Sequence, residues 1–271
     1  MPLVLPPTFG QVQVSHFGPS AAGRNPITVT SGGAAHTKGA WTQLIASTPY
    51  DAYGIWVSID GVHVANTNTA YLVDIGVGPA GSELVILPNL DAWGADNTGL
   101  GLRLYWFPVY IPAGSRIVAR SQSSTASKTC RVMIALDGVP WYGLWGIGPV
   151  VDYGTNLTIS AGTSVTPAIN AFGSWSQIGT TTRDHTFWAV GVDLLTRTST
   201  GSNAYLVEIG VGPSGSQQSL GFYRISVNTA EQFSAPFPIF ISSLPVPAGT
   251  AVWARAAAAE TLAIGVIVYA A

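Results

Sequence analysis

The feature that most constrains this chain is a stretch that occurs twice. Ala70–Ser82 reads AYLVDIGVGPAGS and Ala204–Ser216 reads AYLVEIGVGPSGS, differing only where Asp74 faces Glu208 and Ala80 faces Ser214. Around it the two halves line up. Trp41, in GAWTQL, matches Trp175, in GSWSQI, at the same distance upstream. Downstream, Ile111–Arg120 (IPAGSRIVAR) matches Val246–Arg255 (VPAGTAVWAR) after a one-residue shift. A period of about 135 residues is far too long for a solenoid or a propeller blade and is the size of a domain. The chain is an internal duplication, and its 271 residues hold two such units.

Within each unit the pattern is that of β-strands. In the repeated stretch Tyr71, Val73, Ile75 and Val77 fall on one face, because successive side chains of a strand point to opposite sides. Tyr53–Val64 alternates large apolar with polar residues across an expected turn at Asp60-Gly61. Ile27–Thr30, Leu84–Leu87, Leu100–Ile111, Arg116–Ser121 and Arg131–Leu136 add further strands, punctuated by Gly, Pro, Asn and Asp. Pro112-Ala113-Gly114 and Pro247-Ala248-Gly249 carry tight-turn chemistry, with proline presetting φ and glycine closing the turn. No window sustains a 3.6-residue period beyond two turns, which leaves little room for helix. The expected fold is all-β: two tandem, internally duplicated β-sandwich domains, jelly-roll-like in topology, with an extended N-terminal arm.

The expected boundaries are an arm over 1–24, a first sandwich over 25–138, a linker over 139–156 and a second sandwich over 157–271. The arm carries prolines and opens on Leu3, Val4 and Leu5, an apolar start that calls for cover on a neighbour. A tail, or a first strand laid along the domain, is the blander alternative. In the linker, Trp141, Tyr142 and Trp145 stand among Gly and Pro; such aromatics fill the crease between domains or offer a stacking surface to a ligand.

Candidate chemistry is sparse. Gly76-x-Gly78-x-x-Gly81 and Gly210-x-Gly212-x-x-Gly215 have the spacing of a dinucleotide fingerprint. Their continuations, SELVILPNL and SQQSLGFYRI, lack the helix pattern that would receive a pyrophosphate. Asp74 and Glu208 occupy equivalent positions, as do Arg120 and Arg255, which points to one structural ion pair built twice. The four histidines (16, 36, 63 and 185) lack zinc-ligand spacing, and no serine elbow, P-loop or metalloprotease helix motif occurs. Asp91–Asn97 could hold a cation in a loop but lacks the oxygen spacing of a calcium site. Trp93 in the same segment is the best single candidate for an exposed sugar-stacking aromatic, with no tryptophan near Thr229–Glu231 in the second half. No catalytic residue, cofactor-binding residue or metal ligand is assigned.

Composition then narrows the partners. Charged residues make up 9% of the chain, against the usual figure of about 25%. A surface so weakly charged calls for cover by copies of itself or by a partner. A net charge of −2 gives no footprint for nucleic acid. No apolar run reaches the roughly 18 residues of a membrane helix, and the opening MPLVLPPTFGQVQV lacks the layout of a secretory signal. Cys130 stands alone, in a strand-like run, as a small buried thiol.

The paired motifs AYLVDIGVGPAGS/AYLVEIGVGPSGS and IPAGSRIVAR/VPAGTAVWAR, with low charge, one cysteine and no signal, resemble the duplicated β-sandwich structural proteins of tailed-bacteriophage particles. The resemblance covers about residues 25–271. It implies a virion location and a non-enzymatic role in the particle: a capsid decoration or cement protein, or a head-fibre or tail-associated component. It further implies a homo-oligomer, a trimer first among them, in contact with other virion proteins such as the major capsid protein. The alternatives are a carbohydrate- or receptor-binding fibre module, using Trp93 and the Trp141–Trp145 cluster, and an enzyme on the same scaffold, for which an acid/base constellation is missing.

Overall fold

In a computed structural model, residues 14–17, 26–61, 69–94, 103–138, 148–195, 203–227, 232–234 and 245–271 are described, and no helix occurs among them. The first half supplies β1 (Val14–Phe17), β2 (Ile27–Thr30), β3 (Thr42–Ile45), β4 (Gly54–Gly61), β5 (Thr69–Val77), β6 (Leu84–Gly94), β7 (Arg103–Phe107), β8 (Ile117–Ser123) and β9 (Thr129–Asp137). One sheet runs β1-β9-β4-β7, with β2 also on β9; the facing sheet runs β3-β8-β5-β6.

The second half supplies β10 (Val151–Tyr153), β11 (Thr155–Asn156), β12 (Ala161–Val165), β13 (Ala168–Ile169), β14 (Ser176–Thr180), β15 (Trp188–Leu194), β16 (Asn203–Val211), β17 (Gln218–Val227), β18 (Gln232–Ser234), β19 (Ala251–Ala258) and β20 (Ile264–Ala270). Its sheets repeat the plan. β10, β12 and β15 pair with β20, while β14, β19, β16 and β17 form the partner sheet with β13 and β18 at its margins. The fold is thus all-β and sandwich-like, as the alternation of apolar residues predicts.

The strand registers give residue-level equivalences. Asp74 lies opposite Arg120 on β8, and Glu208 lies opposite Arg255 on β19. Ile55 lies opposite Leu136, and Trp188 opposite Ala270, so β4 corresponds to β15 and β9 to β20. The inward residues of β5 (Tyr71, Val73, Ile75) and of β16 (Tyr205, Val207, Ile209) are fully buried in two separate cores. Each such side chain contributes roughly 1.5–3 kcal/mol by leaving water. The first core is completed by residues of the second half: Phe187, Ala189, Ile267, Tyr269 and Ala271 belong to it.

Several local expectations are corrected. Asp60-Gly61 is not a turn, because β4 continues its ladder with β9 through Gly61 opposite Cys130. Part of the expected arm is sheet: Val14–Phe17 pairs with Asp137–Ile134, the place that Val151–Tyr153, from the expected linker, takes on β20. Of the strand expected over Leu100–Ile111, residues 100–102 lie outside the described residues, the rest is strand over Arg103–Phe107, and β6 runs on to Gly94 in place of the expected loop. The Pro-Ala-Gly turns do set register. Thr48 Oγ1 donates to Pro112 O and Thr181 Oγ1 to Pro247 O, both at 2.7 Å, and Gly114 and Gly249 have φ of 82° and 79°. Leu3, Val4 and Leu5, like Trp141, Tyr142 and Trp145, lie outside the described residues.

Candidate functional site

The duplicated motif builds the same outward-facing device twice. Asp74 and Glu208 sit on the outer side of β5 and β16, facing away from the core. Arg120 Nε reaches Asp74 Oδ2 at 2.9 Å, and Arg255 Nε reaches Glu208 Oε2 at 2.5 Å. Each guanidinium lies 4.4 Å from a tryptophan ring centre, Arg120 over Trp41 and Arg255 over Trp175. Room for each indole comes from Gly76 and Gly210. A Cβ there would stand 2.9 Å from Trp41 Cη2 and 2.7 Å from Trp175 Cη2. A carboxylate holding a guanidinium over an indole combines a charge-assisted hydrogen bond with a cation–π contact, which explains why these types recur together.

Around this common device the two faces diverge. In the first repeat Lys38 Nζ adds a second cation to Asp74 at 2.7 Å and also donates to Asn89 Oδ1. Burial pushes the Lys38 ammonium down, against the pull of Asp74. Asn89 N donates to Asp74, and Asn89 Nδ2 donates to Asp152 of the second repeat. In the second repeat the place of Lys38 is held by Phe172, which lies 4.7 Å under the Arg255 guanidinium and 5.9 Å from Phe222. Phe222 stands where the first repeat has the longer Pro88-Asn89 bulge between Leu87 and Leu90.

The first face is roofed by the second repeat. Leu72, Asp91, Trp93 and Gln122, all on its outer side, are at most 2% exposed. Gln122 Nε2 donates to Leu157 O and Ser160 Oγ, and Val150 N donates to Ile86 O. Tyr269 Oη accepts from Asp91 N at 2.7 Å and donates to Asn89 O, while its ring meets Tyr105 and Phe107 edge-on. Gly191 allows this approach, since a Cβ there would stand 2.9 Å from Asp91 Cβ.

Three charged groups are sealed in this seam. Arg103 Nε lies 3.7 Å from Asp91 Oδ2, and Arg103 donates through Nη2 to Val192 O. Burial pushes the Asp91 carboxyl up, against the Arg103 charge and hydrogen bonding with Asp193 and Arg103. One guanidinium balances one carboxylate. Beside them lies a cavity of about 350 Å³ lined by His36, Trp93 and Ser124 from the first repeat and by Ile159, Asp193 and Leu194 from the second.

The equivalent face of the second repeat is open among the described residues. Leu206, equivalent to Leu72, is 37% exposed, and Phe222 is 49% exposed. Arg224, which takes the register position of Asp91, is exposed. A hollow of about 510 Å³ lies here, lined by Asn170, Ala204, Leu206, Arg224, Ala257 and Ala258. It sits over Ala204, Leu206 and Ala257, the counterparts of Ala70, Leu72 and Gln122, where the first repeat receives the second.

Trp93, expected in a loop as an exposed sugar-stacking residue, is instead a strand residue opposite Ala70 and is 2% exposed. Its register counterpart is Ser226, not the Thr229–Glu231 segment. Asp91 likewise belongs to strand β6 and not to a cation loop, and among the described residues no group of three or more His, Cys, Asp and Glu could hold a metal ion. Cys130 is buried, and burial pushes its thiol up to about 12. The seam aromatics Tyr105, Phe107, Phe187 and Tyr269 and the charges Arg103 and Asp193 escape sequence reasoning. Their one signal is a lone charge inside an otherwise apolar strand, as in WAVGVDL.

No family model matches the chain, and no curated protein matches it. Among solved structures, PNGF-II is similar over 95% of this chain at 8% identity and a TM-score of 0.45, and the chain spans 65% of its length. The Sulfolobus turreted icosahedral virus structure is similar over 91% of this chain and 90% of that one, at 10% identity and a TM-score of 0.33. The tandem CBM22 domain of Paenibacillus barcinonensis Xyn10C is similar over 97% of this chain and 92% of its own, at 11% identity and a TM-score of 0.28. Likenesses this distant transfer no residue and no activity.

Proposed function

We propose that this chain is a non-enzymatic structural protein that works by assembling with other protein surfaces. The observation that carries this reading is the contrast between its two equivalent faces. Among the described residues, a sheet face that is buried in one repeat is left open in the other, with Leu206 and Phe222 exposed on it. Contiguous exposed apolar side chains next to a hollow mark interaction surfaces. The sparse charge of the whole chain, 9% of residues, supports the same reading. The finer assignment is a component of a virus particle, of the tailed-bacteriophage decoration, cement or fibre-associated type that the sequence resembles. Its partners would be further copies of itself, as a trimer or another closed oligomer, and a capsid protein. The test is the mass of the purified chain by light scattering over a range of concentrations. A defined multimer of the 28.2 kDa chain is expected. A monomer throughout, with glycan binding or polysaccharide cleavage in its place, would overturn the reading.

A further inference from the structure

We infer that the open face of the second repeat receives the first repeat of another copy of this chain, head to tail, as the roofed face of the first repeat receives the second within one chain. This rests on the assembly reading above and names its partner.

Strand register identifies the matching surface. Inside the chain, the roof over the first face comes from the outer side of β15 and β20: Gly191, Asp193, Ile267 and Tyr269. The first repeat carries an equivalent outer side on β4 and β9, where Ser58, Asp60, Met133 and Ala135 hold those positions. Met133 there is 37% exposed. Among the described residues, one copy therefore presents an exposed Met133 on the roof side of its first repeat, and an open face at its second.

The substitutions between the two sets are complementary in charge and in size. Within the chain, Asp193 meets Asp91, two acids that need Arg103 between them. Between copies the acid of the roof is kept as Asp60, whereas the acid of the face has become the exposed Arg224. Like charge is thus replaced by opposite charge, the form that sets register at an interface. Arg131 already stands 4.0 Å from Asp60, at the limit of an ion pair, so an incoming guanidinium would join a loose contact. The size exchange runs the same way. Inside the chain the large Tyr269 of the roof meets the Asn89 bulge of the face. Between copies the small Ala135, itself 8% exposed, would lie against the large Phe222. Such a contact is heterologous, so it repeats from copy to copy until a ring closes or a filament grows; a closed trimer is one solution.

The test uses the full-length chain and its mass by light scattering, with Leu206→Asp on the face and Met133→Asp on the roof, alone and mixed. Thermal melts establish that each variant is folded. The expected result is a wild-type multimer, a monomer for each variant alone, and a two-chain species and nothing larger for the mixture, because only one good junction remains. Should Met133→Asp assemble like wild type while Leu206→Asp does not, the head-to-tail contact is overturned and the assembly reading stands. Should both variants assemble like wild type, the contact is overturned and another surface assembles. A monomeric wild type overturns both. Arg224→Glu and Asp60→Lys give a second pair if an apolar-site variant fails to fold. Each alone loses mass, and combining both in one chain restores the multimer through swapped charges; loss by Arg224→Glu without loss by Asp60→Lys overturns the head-to-tail contact.

Discussion

The two repeats share an arginine held over a tryptophan by a carboxylate, and differ in what covers it. Over Asp74 the first repeat places Lys38, Asn89 and then the second repeat itself. Over Glu208, among the described residues, the second repeat places Phe172 and Phe222, with Leu206 bare beside them. A face that is to be sealed within its own chain can become polar and networked, because every partner is fixed in place. A face left open keeps an apolar surface beside the exposed Arg224, which is what a later partner can bury and orient. Duplication supplied the scaffold twice, and the lining records which copy was roofed by its own chain.

The contrast is broken most severely at the seam. Arg103→Met strands Asp91 and Asp193 without their cation, and should cost about 3–5 kcal/mol in denaturant unfolding, as for other broken buried charge pairs. Arg131→Met, beside the half-exposed Asp60 that is the counterpart of Asp193, should cost about 1 kcal/mol or less. Equal losses would mean that the seam charges are not sealed.

At Asp74, Lys38→Met removes hydrogen bonds made to a charge and should cost about 1.5–3 kcal/mol. Phe172→Ala, at the equivalent place, removes only a partly exposed ring and should cost less. The order of the two melting temperatures checks this.

A gentler difference concerns acid. His185 occupies the place of Ala52, each bridged to the strand end near its Pro-Ala-Gly turn, and its Nε2 lies 2.7 Å from Tyr153 Oη. Burial, with Arg183 adding to it, pushes the imidazole down to about 4. The unfolded chain takes up that proton near pH 6.5 and the folded chain only near pH 4. Stability is therefore full above the unfolded value and falls as pH drops from 6.5 through about 4. His185→Gln should flatten that part of the stability–pH curve relative to wild type. An unchanged slope would remove His185 as its source.

The smallest effects belong to the shared device. Glu208→Gln should cost about 1 kcal/mol or slightly more, and Asp74→Asn more than that, because Asp74 holds two cations and one amide. Matched chemical denaturation of the two variants checks the order.

Much of the architecture was legible because duplication makes offsets informative. Asp74 with Arg120 and Glu208 with Arg255 could be paired by type and spacing, since strand neighbours kept together keep their chemistry. What was not legible depends on contacts between repeats. Trp93 looks like a loop aromatic until β6 is extended by pairing with β5 and roofed by the second repeat. Asp91 and Asp193 come from positions that are not equivalent, whose counterparts are Arg224 and Asp60, so the duplication itself hides their meeting. Asp60-Gly61 has turn composition, yet its backbone groups are claimed by β9. Local propensity gave way to tertiary pairing at each of these places.

The most direct test places the same substitution at the two equivalent leucines, Leu72→Asp and Leu206→Asp, and follows thermal unfolding and mass together. Leu72→Asp should bury an unpaired charge in the seam and lower stability by about 3 kcal/mol or more. Leu206→Asp should leave the melting temperature near wild type and reduce the mass to that of one chain. Equal destabilisation at both positions, or an unchanged mass for Leu206→Asp, would contradict an account in which one face is sealed and its twin is open for assembly.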